Sequence, residues 1–214
     1  MMIIALEGID GAGKNTLVQK LIRELAAADG IDSAATMSFP RYDESLHAQL
    51  AADALHGKMG DLTDSAHGMA VMFALDRYGV AGELRQWASS SSDVLLLDRY
   101  VASNAAYTSA RTGRTRDRAW VAELEFARLG LPRPDLHVLV DTSPETARER
   151  AAKRESLDAS RTRDRYERDT ALQDATYAAY VDMAEHDWEG RWLRASETGP
   201  IMQSIGAISR PPAH

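Results

Sequence analysis

Gly8-Ile9-Asp10-Gly11-Ala12-Gly13-Lys14-Asn15-Thr16 decides the fold. An apolar run, Met2-Ile3-Ile4-Ala5-Leu6, precedes it, and Leu17, Leu21 and Leu25 follow at helical spacing. Strand, glycine-rich loop and helix in that order make the context of a phosphate-binding loop. Glycines let backbone N–H groups turn inward and approach polyphosphate oxygens closely. The helix N-terminus adds its unpaired donors and the positive end of its dipole. Lys14 brings a cation to the outer phosphates. Gly8, Gly11, Ala12, Gly13, Lys14, Asn15 and Thr16 are therefore the expected phosphate-binding residues. Asn15 departs from the pattern, because Ser or Thr usually holds Mg²⁺ there; the hydroxyl of Thr16 comes one residue later.

Composition narrows the remaining possibilities. A chain of 214 residues with 44% hydrophobic and 27% charged residues reads as one compact α/β domain. There is no cysteine, which removes disulfides, thiolate metal sites and a thiol nucleophile and suits the cytoplasm. His47, His56, His67, His137, His186 and His214 lack ligand spacing and read as surface or core residues. No apolar run approaches ~18 residues, so no membrane partner is expected. A net charge of −7 argues against a nucleic-acid partner.

Further strands are expected at Ser33–Phe39, Asp93–Asp98, Leu136–Asp141 and Arg191–Arg194. Helices are expected at Glu44–Leu55, Thr63–Ser89, Val101–Thr112, Arg116–Leu129, Pro144–Arg154, Arg165–Glu185 and Pro200–Ile208, with a loose tail from about residue 210. Five strands alternating with helices predict a parallel sheet flanked by helices on both faces. Ligands of such a sheet bind beyond the strand C-termini. Asp10, Phe39, Arg41, Tyr42, Asp98 and Arg99 fall there and should share one crevice, with Asp141 peripheral.

Residues 148–168 hold eight Lys or Arg against five acids, a local charge of +3. This is either a solvated helical face paired with Glu149 and Glu155, or an arginine-bearing lid over about 148–163. Planar guanidinium forks match phosphate oxygens, and closure would exclude water from a phosphoryl donor.

Across nearly its whole length the chain resembles the thymidylate kinases, and most closely their actinobacterial form. The likeness rests on the run from Glu7 to Lys14, on Phe39-Pro40-Arg41-Tyr42, and on Ala54-Leu55-His56-Gly57. It continues through Phe73-Ala74-Leu75-Asp76-Arg77 and the run from Asp98-Arg99-Tyr100 to Ser103-Asn104 and Tyr107. Glu125-Phe126 through Pro132 and Arg163-Asp164-Arg165-Tyr166-Glu167 complete it. The phosphate loop alone is shared by many nucleotide-binding families; the Asp-Arg-Tyr run with Ser, Asn and Tyr behind it is far more specific.

The resemblance implies a P-loop nucleotide kinase fold with a lid. It implies transfer of the γ-phosphoryl group of MgATP to thymidine 5′-monophosphate (dTMP). Phe73 would stack on thymine, or else be plain core. Arg77 would donate to a thymine carbonyl, or else pair with Asp76. Asn104 would meet the N3–H and carbonyl edge. Tyr107 would pack under the deoxyribose. Leu55 and Phe39-Pro40 would wall the pocket, and Ser103, Asp164 and Tyr166 would complete the acceptor site. Arg99 and Tyr42 would hold the acceptor phosphate, with help from Arg41. Asp10 and Glu167 become the candidate Mg²⁺ ligands. Asp98 would act at the metal or orient Arg99. With Asn15 in the loop, the catalytic arginine would come from the lid: Arg150, Arg154 or Arg161. Asp10, Lys14, Arg99 and Arg154 are the expected catalytic group, and a homodimer is expected, with the helix around Met69–Val80 contributing.

Two rivals bear on the same residues. A kinase of another acceptor would keep the fold, though a cation such as Arg99 suits an acceptor that already carries phosphate. A nucleotide-dependent switch would read guanine with Asn-Lys-x-Asp, and no lysine here follows an asparagine. A nucleotide binder without turnover is the reading that Asn15 leaves open.

Overall fold

The computed structural model describes residues 2–89, 92–157 and 164–208, except the side chains of Arg154, Ser156 and Leu157. The predicted tail and Arg161 lie outside the described residues, as does the predicted lid from 158 to 163. Strand β1 (Met2–Glu7) is buried along its whole length. It is apolar on both faces, and such a strand must be covered on both sides. It lies at the centre of a five-stranded sheet of order β2-β3-β1-β4-β5, with every pair parallel. The others are β2 (Ser33–Ser38), β3 (Asp93–Asp98), β4 (Leu136–Leu139) and β5 (Trp192–Arg194). The register sets Leu6 opposite Asp98 on one side and Val138 on the other. The chain order reverses at β1, so the crevice beyond its C-terminal end is where a ligand belongs.

The helices are α1 (Lys14–Ala26), α2 (Leu46–Leu55), α3 (Ala66–Tyr78), α4 (Ala81–Trp87), α5 (Val101–Thr112) and α6 (Arg116–Ala122). They continue with α7 (Pro144–Leu157), α8 (Arg165–Arg168), α9 (Thr170–Glu185) and α10 (Thr198–Ile208).

Two predicted helices are each divided. Thr63–Ser89 is a 3₁₀ turn at Leu62–Asp64 followed by α3 and α4. Ser65 stops the turn by taking an extended backbone and capping α3, its Oγ accepting from Gly68 N at 2.9 Å. Gly79 closes α3. Arg165–Glu185 divides at Asp169, whose extended backbone and Oδ1 bond from Leu172 N at 2.9 Å cap α9. Arg116–Leu129 begins as α6 and continues through a π-helical turn, Glu123–Arg128.

Two hydrophobic clusters result. The larger covers both faces of the sheet. The smaller joins α2, α3 and α8–α9 through Ala51, Ala54, Leu55, Met69, Tyr166 and Leu172. Of the histidines, His137 is a core residue, stacked on Trp192 with ring centroids 4.6 Å apart; burial pushes its pKa down to about 3. Among the described residues no helix is long and apolar enough to cross a membrane.

Candidate active site

The loop after β1 is built as its sequence requires. Gly8, Gly11 and Gly13 take φ of 146°, 87° and 102°. A Cβ on Gly11 would stand 2.1 Å from the Ala147 carbonyl oxygen, so only glycine lets α7 rest on the loop. Two further bonds tie α7 and the residues before it to the loop. Thr142 Oγ1 and Arg150 Nη1 donate to Ala12 O at 2.9 and 3.2 Å. Lys14 Nζ donates to Gly8 O and Ile9 O at 2.9 and 3.0 Å. Burial lowers its pKa to about 8, with the Arg99 charge adding to the effect.

Opposite the loop, β3 ends in Asp98-Arg99. Arg99 has φ +65°, unusual for a side chain of this size. Arg99 N donates to Leu6 O at 2.9 Å and Nη1 to Gly8 O at 2.9 Å, while Nη2 pairs with Asp10 Oδ1. Burial opposes ionisation of Asp10, but the Arg99 and Lys14 charges outweigh it and hold its pKa at about 2.

Beneath Arg99 lies a residue that the sequence did not single out. Glu7 is fully buried; Oε1 accepts from Tyr100 N at 3.0 Å and Oε2 from Ser103 Oγ at 2.5 Å. Burial pushes its pKa up to about 7. An acid in an otherwise apolar central strand was the available signal.

The far end of the crevice has apolar walls and a polar base. Phe39, Pro40, Leu55 and Phe73 form walls. Asn104 Nδ2 donates to Ala70 O at 3.0 Å and to Glu125 Oε1 at 2.8 Å. Arg77 is buried and forks onto Glu125, with Nε to Oε2 at 2.5 Å and Nη2 to Oε1 at 2.7 Å. It does not pair with Asp76. Arg41 takes that acid. The Ser103 hydroxyl lines the cleft and bonds to Glu7 and Tyr180.

A third side comes from α8. Asp164 and Glu167 form a reciprocal capping box, and Tyr166 stacks on Tyr107 with centroids 5.9 Å apart. Tyr107 OH donates to Asp10 Oδ2 at 2.9 Å. Burial first, then the Asp10 and Asp164 charges, push Glu167 up to about 7. Burial and the charge of Asp10 also raise Asp164.

These sides enclose one cleft of about 710 Å³. It is lined by Asp10, Phe39, Tyr42, Leu55, Phe73, Arg77, Asp98, Arg99, Ser103, Asn104, Tyr107, Asp164, Tyr166 and Glu167. Gly11, Gly13, Lys14, Asn15 and Thr16 border the same space, while Gly8 and Ala12 stand behind it. Asp98 acts there through its charge, which raises the pKa of both Lys14 and Arg99. Asp141 is peripheral, bonded to Tyr177 and Arg194. Of the basic segment, Arg150 reaches the loop, whereas Arg148 pairs with Asp174 and Glu145. The side chain of Arg154 and all of Arg161 lie outside the described residues.

The thymidylate kinase family model matches residues 6–198. The thymidylate kinase of Mycobacterium tuberculosis is 51% identical over 195 residues, 90% of each chain. That of Leifsonia xyli is 35% identical, spanning 97% of this chain and 92% of its own. Among solved structures, thymidylate kinase from Candida albicans superposes with a TM-score of 0.70 at 19% identity, over 97% of this chain and 90% of that one.

Proposed function

We propose a residue-level mechanism for this chain, which belongs to the thymidylate kinase family and phosphorylates dTMP to dTDP. One observation carries it. A single cleft joins the phosphate loop, a half-buried arginine facing that loop (Arg99), and a polar edge enclosed by apolar walls.

ATP places its phosphates on the N–H groups of the loop and on Lys14. The thymine ring lies between Phe73 and the Phe39-Pro40 wall, with Arg77 and Asn104 at its polar edge and Tyr107 under the sugar. Tyr42 and Arg99 then hold the acceptor phosphate against the loop. An acceptor oxygen forms the new bond to the γ-phosphorus as the bond to the β–γ bridging oxygen breaks and ADP leaves. The acceptor phosphate is already anionic, so the protein supplies position and charge rather than a nucleophile. Arg150 from the lid side meets the charge that develops on the moving group, and we place Arg154 and Arg161 in the same role.

The residues fit a magnesium ion. Asp10 and Glu167 line one cleft; burial raises the Glu167 pKa most, and the neighbouring charges of Asp10 and Asp164, which add to it, are ones a cation would relieve. Mg²⁺ commonly takes only one or two carboxylates alongside water and phosphate. When bound, it would neutralise phosphate charge between donor and acceptor. With Asn15 in the usual hydroxyl position, Asp10 and Glu167 would hold it, directly or through water.

We read the chain as one P-loop kinase domain that works as a homodimer. Val71, Leu75 and half-exposed Tyr78 form an apolar stripe along α3 that belongs to neither hydrophobic cluster. We place the reaction in the cytoplasm, where its dTDP would feed DNA synthesis; cell fractionation tests that placement.

The test is coupled ADP release with MgATP against dTMP, dUMP, thymidine, AMP and GMP. Turnover should be strongest with dTMP and should vanish with excess EDTA. Preference for another acceptor would overturn the pocket assignments. ATP binding without any turnover would identify a nucleotide binder and point to Asn15.

A further inference from the structure

We infer that Glu125 sets which pyrimidine the acceptor pocket accepts, as a positioning residue that touches no substrate atom; this rests on the reading of Asn104 and Arg77 as the base edge. Glu125 is fully buried, and its carboxylate holds both of those residues at once. It comes from the π-helical turn after α6, while Arg77 and Asn104 come from α3 and α5. One acid thus fixes two side chains from separate helices.

The chemistry of that grip is directional. A carboxylate only accepts hydrogen bonds, and so does the Ala70 carbonyl on the other side of Asn104. Two acceptors can bind only the amide nitrogen. Nδ2 therefore faces the protein, and Oδ1 is the atom left for a ligand. For the same reason, Arg77 spends Nε and Nη2 on Glu125 and keeps Nη1 for the cleft it lines. The pocket edge then reads acceptor at Asn104, donor at Arg77.

Thymine and uracil present the complement, an N3–H donor beside the O4 acceptor. Cytosine presents the reverse, an N3 acceptor beside an amino donor. A site that leaves buried polar groups unpaired against the wrong ligand discriminates far more strongly than a change of shape does. An acid that never meets the base thereby selects its polarity. Were the residue at position 125 able to donate, only the Ala70 carbonyl would still hold Nδ2 inward, and both the amide's orientation and the Arg77 fork would lose the acceptor that fixes their polarity.

The test measures kcat/KM for dTMP and dCMP in the wild type and in Glu125→Gln. Gln is nearly isosteric but carries a donor and no charge. The dTMP-to-dCMP ratio should fall at least tenfold in the variant, mainly through KM for dTMP, with KM for ATP unchanged. The ratio does not depend on how much enzyme is folded, so a purely structural role would leave it where it was. Because Glu125→Gln strands the buried Arg77 charge, the double variant Arg77→Gln/Glu125→Gln removes the pair together; its reference is Arg77→Gln alone, which already lacks the base-edge donor, and the double variant should lie below that reference in the ratio. An unchanged ratio in Glu125→Gln, together with a double variant no lower than Arg77→Gln, overturns the inference. A wild type that does not prefer dTMP to dCMP overturns instead the acceptor reading on which it stands.

Discussion

Arg99 is held in a conformation that its own backbone disfavours. A non-glycine residue at φ +65° carries about 1–3 kcal/mol of strain, and persists only where its surroundings over-determine it. Here they do. Its N–H is bonded to β1, its guanidinium to Gly8 O and Asp10, and the next residue's N–H to Glu7. The group is placed before any substrate arrives, which is the condition for efficient charge stabilisation. Arg99→Ala should therefore lower kcat/KM for dTMP by an amount equal to ~2–4 kcal/mol, as for loss of one preorganised donor. A folded variant that loses less than tenfold would remove Arg99 from the catalytic group. Arg99 was legible because an Asp-Arg-Tyr run closes an apolar strand. Glu7 and Glu125 were not, because their meaning lies in partners 93 and 48 residues away in sequence. Nothing local marks an acid as the holder of an arginine on another helix.

At the scale of elements, the contact between α7 and the loop after β1 is the most exacting. Gly11 admits the Ala147 carbonyl where a Cβ would collide with it. Gly11→Ala should lift α7 off the loop and carry Arg150 with it, raising KM for ATP at least tenfold while the protein still folds. Gly30→Ala, with nearly the same backbone (φ +84°) but a Cβ that meets nothing within 4 Å, is the matched control and should leave KM for ATP unchanged. An unaltered KM in Gly11→Ala would show that α7 adapts. The three central strands could be read closely, because a buried parallel strand is an uninterrupted apolar run. The long helices could not. Apolar spacing continues in phase across Gly79 and Asp169, whereas the breaks are local: side-chain caps at Ser65 and Asp169, and glycine at position 79, after which α4 starts without a side-chain cap. Such caps are worth about 1 kcal/mol each, which is enough to redirect the chain but too little to disturb the hydrophobic pattern.

In the whole molecule, the cleft lies between two hydrophobic clusters rather than within one. Its floor is the sheet and the phosphate loop, and its far wall is the smaller cluster around Leu55, Met69 and Tyr166. The general plan was legible, since five strand ends and a glycine loop leave one place for a ligand. The division into two clusters was not, because apolar spacing says which residues are buried but not against what. The apolar stripe of α3 predicts that two copies pair. Sedimentation at micromolar concentration should give twice 23.5 kDa, and Tyr78→Glu should shift it toward a single chain. A wild type that sediments as one chain would remove the dimer.

The sheet itself guards against a different kind of self-association. Its two outermost strands have unpaired backbone groups that another chain could extend into a fibre-like array. On β2 the exposed positions are Ser33, Thr36 and Ser38, and Pro40 just beyond the strand has no N–H to offer. At the other border, β5 has only three residues, too few to template a new strand. Neither border invites a second sheet to join edge to edge. This leaves the helical surface as the ground on which copies of the enzyme can meet without risk of runaway aggregation.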